Sequence, residues 1–306
     1  MQETDKVYLF WYKKKEGNGN FGDELGPYLI KKLTGKDVKH VLLPRSGIKR
    51  ILAYFKGLPL SRYSIKSLPL VFDKHALSGD YVISVGSIIG WGNGKRTVWG
   101  SGILFKDEKI DNANFLAVRG SYTQNRLDEL GYNVPNVIGD PALLLPLVYE
   151  SDVRKKYELG LIPHHTQYEH FKNYRENKRG LIVINLLDDI ERIIDQINSC
   201  KYVISSSLHG LIVAHAYNIP ALWYYYPHIE WRGEDVKFLD YFSSVGIEEY
   251  SPFRLKEKEE FSIYDEIDNI LANRKKTFIK KDLLTIQKKL LDVAPFEVKK
   301  NYSLSF

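Results

Sequence analysis

The segment 202–223 constrains the fold more than any other part of the chain. An apolar strand over Tyr202–Ser205 leads into a run of three serines, and a helix then begins with His209 in its first turn. A second apolar strand follows at Ile219–Trp223, which completes a strand–loop–helix–strand unit typical of parallel sheets. Ligands of open α/β sheets bind at the carboxyl ends of such strands, and a helix N-terminus there favours an anion. The segment therefore predicts an anion-binding site in an α/β fold.

Short apolar strands and amphipathic helices alternate along the rest of the chain as well. This alternation predicts parallel sheets that are covered by helices on both faces. The chain has 306 residues, which suits two domains of about 150 residues each. A charged, polar stretch at Tyr149–Tyr157 places the boundary near residue 150. We therefore expect two Rossmann-like domains, 1–150 and 151–306, the second ending in helices that can cross back to the first.

Composition excludes several classes of protein. A single cysteine, Cys200, rules out an internal disulfide framework and a metal site made of cysteines alone. The acidic start and a short first apolar run do not fit a signal peptide, and no window reaches the ~18 apolar residues of a membrane span. We therefore expect a cytoplasmic protein. The net charge of +6 is clustered in basic patches that suit anions, but no nucleic-acid-binding signature accompanies them.

A Gly/Asn-rich loop between the first strand and the first helix is a candidate for substrate binding. Glycine lets the backbone approach a ligand closely, and Asn and Asp side chains can orient hydroxyl groups. Asp23 could accept a proton from a sugar hydroxyl, although Asp at a helix start is also a common N-cap. The predicted site residues of this loop are Asn18, Asn20, Gly22 and Asp23.

Three further strands of the first half end in glycine or serine, which predicts a cleft lined by backbone amides. The candidates here are Ser87, Ser101 and Gly102. Arg119 follows another strand, where its planar guanidinium can bind a carboxylate or a phosphate, or else form a surface salt bridge. The chain contains neither a Walker A sequence nor a dinucleotide fingerprint in the strand–helix context.

The second half supplies the candidate acid or base. His209 can carry a proton near neutral pH and stands at a helix start, whereas we interpret His215, further along that helix, as structural. His164 is a candidate site residue, but its neighbour His165 should point to the opposite face of a strand, so we predict no metal site. The remaining candidates for substrate binding are Ser205, Ser206, Ser207 and Gly210.

These pieces, in this order, resemble the polysaccharide pyruvyl transferase family, and most closely its short exopolysaccharide branch. The resemblance covers about residues 20–245. Its most specific motif is the Ser-Ser-Ser-Leu-His-Gly run with the Ile-Pro-Ala that follows. The matching segments are Gly22–Tyr28, Trp99–Gly102, Ala117–Gly120, Gly139–Leu144, Gly160–His164 and Ser205–Gly210.

The resemblance implies a GT-B-like pair of domains with a cleft between them, phosphoenolpyruvate as the donor and no metal or cofactor. It implies a sugar acceptor, commonly polyprenyl-linked, and a cyclic pyruvate ketal as the product. By motif, Asp23 lies near the acceptor, Arg119 binds the donor anion, and His209 is the catalytic acid/base or the phosphate partner. The family often has arginine where this chain has Ser207, so Arg119, Arg232 or helix N–H groups would have to replace it.

Two other functions stay open from the sequence. A GT-B glycosyltransferase that uses a nucleotide-sugar would share the fold and the cleft histidine, and Glu234 or Asp235 could grip its ribose. A non-catalytic capsule-assembly protein would bind no donor.

A basic amphipathic segment at residues 45–66 suggests contact with an anionic membrane surface. Its apolar residues Ile48, Ile51, Leu52 and Phe55 follow helical spacing, and no acidic residue occurs in the span. The alternative is that they pack on the amino-terminal domain.

Overall fold

The computed structural model describes most of the chain, with only the backbone given for 47–50 and 69–70. The described residues are 6–13, 19–42, 47–59, 68–72, 78, 80–92, 95–176, 178–226 and 235–302. None of the described helices is long and apolar enough to cross a bilayer.

The first sheet is parallel and has the strand order β2-β1-β3-β4-β5-β6. Its strands are β1 Lys6–Phe10, β2 Asp37–His40, β3 Val82–Ile83, β4 Thr97–Trp99, β5 Asn114–Val118 and β6 Val137–Ile138. The helices of this half are α1 Phe21–Thr34, α2 Gly47–Gly57, α3 Leu68–Val71, α4 Ser121–Glu129 and α5 Leu145–Val148, with a 3₁₀ turn at Pro141–Leu144.

The second sheet is also parallel and has the order β11-β10-β9-β7-β8. Its strands are β7 Tyr157–Ile162, β8 Leu181–Val183, β9 Cys200–Ser205, β10 Ala221–Tyr225 and β11 Phe253–Arg254. The helices are α6 Tyr168–Phe171, α7 Ile190–Asn198, α8 Leu208–Ala216, α9 Val236–Val245, α10 Ile263–Ala272 and α11 Leu283–Asp292, with 3₁₀ turns at Lys172–Arg175, Arg274–Lys276 and Lys300–Tyr302.

The two parallel sheets with their helices confirm the predicted α/β fold class with two Rossmann-like sheets. In each sheet the strand order reverses once near the start, between β1 and β3 and between β7 and β9. These switch points open a crevice at the carboxyl ends of the strands. The predicted domain boundary near residue 150 lies between the last strand of the first sheet and the first strand of the second, and it stays a prediction.

Helix α7 illustrates how local sequence sets an element. Asp189 is its N-cap, and the side chain accepts hydrogen bonds from the backbone N–H groups of Glu191 and Arg192. This satisfies donors that a helix start leaves free. Its isoleucines at helical spacing are fully buried: Ile193, Ile194 and Ile197.

The main apolar core is continuous from one sheet to the other, because it contains residues of α1, α8 and the strands of both halves. The C-terminal helix α11 packs against the first half, where the indole of Trp99 donates a hydrogen bond to the Leu290 carbonyl (2.9 Å). Helix α9, which follows β10, also packs against α4. The two halves are thus joined by a shared core and by the contacts of α9 and α11 with the first half.

The amphipathic face of α2 differs from the prediction. Tyr54, which the predicted apolar set omits, is fully buried against Val71, and Ile51 packs on this pair. Leu52 and Phe55 are 54% and 51% exposed. The helix therefore packs through the side that contains Tyr54 and leaves two large apolar side chains in solvent.

Candidate functional site at the two switch points

His209 lies at the junction between the two sheets. It follows β9, in the first turn of α8, and its side chain is 13% exposed. The Nδ1 side of the ring lies against Gly22 in α1, so closely that a Cβ atom there would be 2.2 Å from Nδ1. The Nε2 side faces the Asp140 carboxylate, with 3.8 Å between Nε2 and Oδ2. A histidine of the second half thus reaches the strand ends of the first.

Arg119, at the end of β5, is fully enclosed. Its Nε donates to Asp240 Oδ2 (2.9 Å), one terminal nitrogen donates to Ser87 Oγ (2.6 Å), and the other donates to the Ile103 carbonyl (2.7 Å). Gly102 lies against the guanidinium, where a Cβ would meet the Arg119 Cζ at 2.5 Å. The guanidinium, which the sequence assigns to a donor anion, therefore uses its three nitrogens to bind groups of the protein. Arg119 can act on a ligand through its positive charge, but it has no free edge for a bidentate contact.

A second buried cation, Lys237, is on α9 one turn before Asp240. Burial, together with the nearby positive charge of Arg119, lowers the pKa of Lys237 to about 8 against the opposing effect of Asp235. Burial, together with Arg119 and Lys237, also lowers the pKa of His209 to about 3. The imidazole is therefore neutral at pH 7 in the ligand-free protein, and the cations beside it favour an anion.

The loop before α1 is arranged differently from the prediction. Asn20, not Asp23, is the N-cap, and its side chain accepts the backbone N–H of Asp23 (3.2 Å). The amide of Asn20 also donates to the Asp23 carboxylate. Asn20 and Asp23 therefore flank Gly22, whose backbone contacts the His209 ring, at the start of α1. Asn18 and Arg232 lie outside the described residues.

The three serines before α8 mainly hold the loop. Ser205 Oγ can donate its single proton to the Ile162 or the Ser207 carbonyl, and Ser206 Oγ donates to Gln167 while accepting the backbone N–H of His164. Ser207 is the N-cap but makes no side-chain capping bond. The hydroxyls of Ser205 and Ser206 are thus used within the fold, although the sequence predicts them as ligands for substrate.

Other predicted residues fall into structural positions. Ser101 is buried and donates to the Gly86 carbonyl (2.8 Å), and Gly210 packs tightly against Ser205 and Ile162. His164 bonds to Thr166, and its ring lies 4.3 Å from that of His165. The expectation that His164 and His165 point to opposite faces is therefore wrong, because both follow the end of β7 rather than lie in it.

His215 has the structural role that the sequence predicts. Its two ring nitrogens contact the Tyr241 hydroxyl (3.0 Å) and the Ala221 carbonyl (3.2 Å). Burial lowers its pKa to about 4. A separate pocket is lined by Trp223, Asp235, Leu239, Glu249, Tyr250, Ser251 and Pro252. Apart from Asp235, which the nucleotide-sugar alternative assigns to the ribose, that pocket contains none of the predicted substrate-binding or catalytic residues, so we place the site at the His209 junction.

Sequence reasoning missed three residues of the junction. Asp140 is part of the Gly-Asp-Pro motif, but on its own that motif is typical of a turn. Lys237 and Asp240 lie on α9, more than 20 residues from the serine motif, and Asp240 meets Arg119 across 121 positions of the chain. A lysine and an aspartate on a largely buried helix are the signal that could have identified them.

Comparisons with known proteins agree with the motifs. A family model described as polysaccharide pyruvyl transferase matches residues 20–228. An uncharacterized protein of Acanthamoeba polyphaga mimivirus is 31% identical over 221 residues, which are 67% of this chain and 77% of that protein. The matched range of the family model includes Gly22, Asp140 and His209 and ends before Lys237 and Asp240.

Solved structures of the E. coli heptosyltransferase WaaC are also similar. The structure with ADP-2-deoxy-2-fluoro heptose is 12% identical, covers 88% of this chain and 99% of that chain, and has a TM-score of 0.40. The structure with ADP is 12% identical, covers 89% and 99%, and has a TM-score of 0.37.

The contact between Gly22 and His209 predicts a position-specific effect in α1. Gly22→Ala should displace the His209 ring and lower the free energy of unfolding by about 1–3 kcal/mol, as overpacking does. Gly26→Ala is the matched control, because its nearest neighbour lies 3.6 Å from the added Cβ. It should leave the ring in place and stabilise the helix by up to ~1 kcal/mol. Urea unfolding and the NMR signal of the His209 imidazole measure both effects; an unchanged signal in Gly22→Ala would contradict the contact.

Proposed function

Because the chain belongs to the polysaccharide pyruvyl transferase family, we propose that it transfers the pyruvyl group of phosphoenolpyruvate to a sugar of a polysaccharide repeat unit. The product is a cyclic ketal. The observation that carries the proposal is the junction itself. A neutral histidine there faces the first turn of α1, and two buried cations lie beside it at the carboxyl ends of the strands.

The negative charge of phosphoenolpyruvate determines where it binds in the proposed site. Phosphoenolpyruvate carries a carboxylate and a phosphate, and both are bound by cations and helix N–H groups. Lys237 is the contact for one of them and takes the place of the arginine that the family often has at Ser207. Arg119 stays paired with Asp240 and adds its charge to the site.

Donor binding changes the protonation of His209. Burial, together with Arg119 and Lys237, lowers its pKa in the ligand-free protein, and a bound dianion opposes the part that is due to the two cations because it offsets their charge. The pKa of the ring therefore rises when the donor binds. His209 can then move a proton at neutral pH.

The reaction needs proton transfer but consumes no net proton. Addition of a proton to the methylene carbon makes C2 electrophilic, and the first acceptor hydroxyl forms a C–O bond to C2. The C2–O bond to phosphate then breaks, and the neighbouring hydroxyl closes the ketal. One hydroxyl proton ends on the new methyl group and the other on the released phosphate. His209 and Asp23 carry these protons, and the cations stabilise the anionic leaving group.

The proposal predicts that phosphoenolpyruvate stabilises the protein against heat, whereas UDP and GDP do not. In the presence of phosphoenolpyruvate and a lipid-linked or aryl sugar, the protein should release phosphate and form a ketal of the sugar. His209→Ala should lower this rate by ~10²–10⁴-fold, the range of general acid–base catalysis. His170→Ala, at an exposed histidine of α6, should leave it unchanged.

Three results would redirect the proposal. Stabilisation by UDP or GDP alone would indicate a nucleotide-sugar glycosyltransferase. No stabilisation by any donor would indicate a non-catalytic capsule-assembly protein. A rate within a few-fold of wild type in His209→Ala would remove the histidine from the mechanism.

Lys237 gives the donor affinity a pH dependence. A bound anion favours the charged ammonium, so the affinity for phosphoenolpyruvate should fall as the pH rises above about 8, where free Lys237 loses its proton. The phosphate has its second pKa near 6 and does not titrate there. Lys237→Met should remove this dependence and weaken binding at pH 7 by about tenfold or more, as expected for a lost charged hydrogen bond.

Calorimetric titration from pH 7 to 10 measures the dissociation constant of each variant. Lys275→Met, at an exposed lysine, is the control and should behave as wild type. An affinity that falls equally with pH in Lys237→Met and in wild type would show that another group titrates.

We propose that the acceptor is polyprenyl-linked and that α2 contacts the anionic inner leaflet of the cytoplasmic membrane. Support comes from Leu52 and Phe55, which are half-exposed, with exposed Lys56 beside them. An exposed apolar pair with basic neighbours is typical of interfacial helices.

Vesicle flotation tests this contact. Binding is expected to anionic but not neutral vesicles, and it should be lost at high salt and in Lys49→Glu/Arg50→Glu. Lys275→Glu/Lys280→Glu makes the same change of charge elsewhere and should still bind. Equal recovery with both vesicle types, or with neither, would exclude a specific anionic surface.

A further inference from the structure

Asp140 uses its two carboxylate oxygens differently. Oδ1 accepts the backbone N–H of Ala142 (2.9 Å) and caps the 3₁₀ turn Pro141–Leu144. Oδ2 is enclosed and has no hydrogen-bond partner among the described residues. An enclosed carboxylate oxygen without a partner is destabilising, because it has lost its hydrogen bonds to water and gained none in the protein. The cap alone therefore does not explain why an aspartate is buried here.

The atom that Oδ2 faces is also without a partner. His209 Nε2 is enclosed, makes no hydrogen bond to the described residues and lies 3.8 Å from Asp140 Oδ2. Hydrogen bonds of this kind measure about 2.7–3.2 Å, so a shift of about 1 Å joins the two atoms. A hydrogen bond between Asp140 Oδ2 and His209 Nε2 would therefore satisfy both atoms.

The charges around the pair determine where its proton lies. Burial, with a smaller contribution from Asp240, raises the pKa of Asp140 to about 6 against the opposing effects of the Ala142 N–H and Arg119. Burial, together with Arg119 and Lys237, lowers the pKa of His209, and the charge of Asp140 contributes to the raised pKa of Tyr241. At pH 7 the carboxylate is therefore charged and the ring neutral. Only the tautomer with hydrogen on Nε2 then supplies a donor to Oδ2.

We propose that Asp140 is the positioning residue of His209. It accepts a hydrogen bond from Nε2–H and so leaves Nδ1, which faces Gly22 and the first turn of α1, as the nitrogen that takes and returns the proton of the acceptor hydroxyl. The role of Nδ1 rests on the proposed pyruvyl transfer, whereas the pairing of Asp140 with Nε2 does not.

Asp140→Asn distinguishes the capping of the 3₁₀ turn by Oδ1 from the pairing of Oδ2 with His209 Nε2. The asparagine Oδ1 can keep the bond to Ala142, and its amide group then presents a donor to Nε2. The His209 ring should therefore change to the tautomer with hydrogen on Nδ1, as an asparagine behind a catalytic histidine does in triads. Asp140→Ala removes the cap and the pairing together, and its melting temperature, compared with that of Asp140→Asn, gives the contribution of the cap.

The tautomer is measured by ¹⁵N-histidine NMR on the ligand-free protein, with the His209 signals identified by their absence in His209→Ala. Wild type should show Nε2–H and Asp140→Asn should show Nδ1–H. With phosphoenolpyruvate and an acceptor sugar, Asp140→Asn should lower kcat by ~10²–10⁴-fold while the KM for phosphoenolpyruvate changes by only a few-fold. If Asp140 had a purely structural role, Asp140→Asn would not lower kcat strongly while leaving the KM for phosphoenolpyruvate almost unchanged.

The Nδ1–H tautomer in wild type would overturn the proposal without any variant. A tautomer and a kcat unchanged in Asp140→Asn would overturn it as well. If the tautomer changes but wild type transfers no pyruvyl group, the pairing stands and the proposed function fails. If wild type transfers the group and Asp140→Asn does so equally well, the function stands and the pairing has no part in it.

Discussion

The buried ion pair between Arg119 and Asp240 holds the junction together. One guanidinium binds Asp240, Ser87 and the Ile103 carbonyl, and the same carboxylate accepts the backbone N–H and the hydroxyl of Thr123 at the start of α4. A buried guanidinium without its carboxylate would be strongly destabilising, so β5, α4 and α9 have to meet at this point. Lys237 is fixed beside the crevice as a consequence, because it lies on α9 one turn before Asp240.

The pair also explains how two cations can be enclosed near one histidine. Asp240 balances Arg119, whereas the charge of Lys237 is opposed mainly by Asp235, an exposed residue at the start of α9. Burial, together with these two cations, keeps His209 neutral in the ligand-free protein, although the Asp140 carboxylate lies 3.8 Å from its Nε2. In a site of this kind, the fold positions the charged groups before the reaction begins, so they need not reorganise when charge develops on the substrate.

The sequence predicts the sheets and the strand ends well because those depend on local periodicity. The strand–loop–helix motif around His209 follows from neighbouring residues, and the structure agrees with it. Local rules fail where a tertiary contact competes with them. Ser121 and Gln124 have the spacing of a capping box, yet Gly120 is the N-cap of α4, the backbone N–H of Ser121 donates to Ser243 Oγ, and the Gln124 amide donates to the Pro135 carbonyl.

Tertiary contacts also explain which parts of the site the sequence does not predict. The predicted clamp at Arg119 assumed an open guanidinium, and nothing near it in the sequence reveals that Asp240 closes it. In α2, the helical period was right, but the position of the buried face depended on Val71 in a different helix. Distant partners decide both the accessibility of a charge and the face that a helix buries.

His209 belongs to the second half, but both of its ring nitrogens contact residues of the first half. Gly22 lies against Nδ1, and Asp140 lies beside Nε2. A ring held in this way has little rotational freedom, so its two nitrogens keep separate surroundings: one faces a buried carboxylate and the other a helix start. Relative movement of the two halves would change both contacts at once. The core packing of α9 and α11 across the halves keeps both contacts of the ring in place.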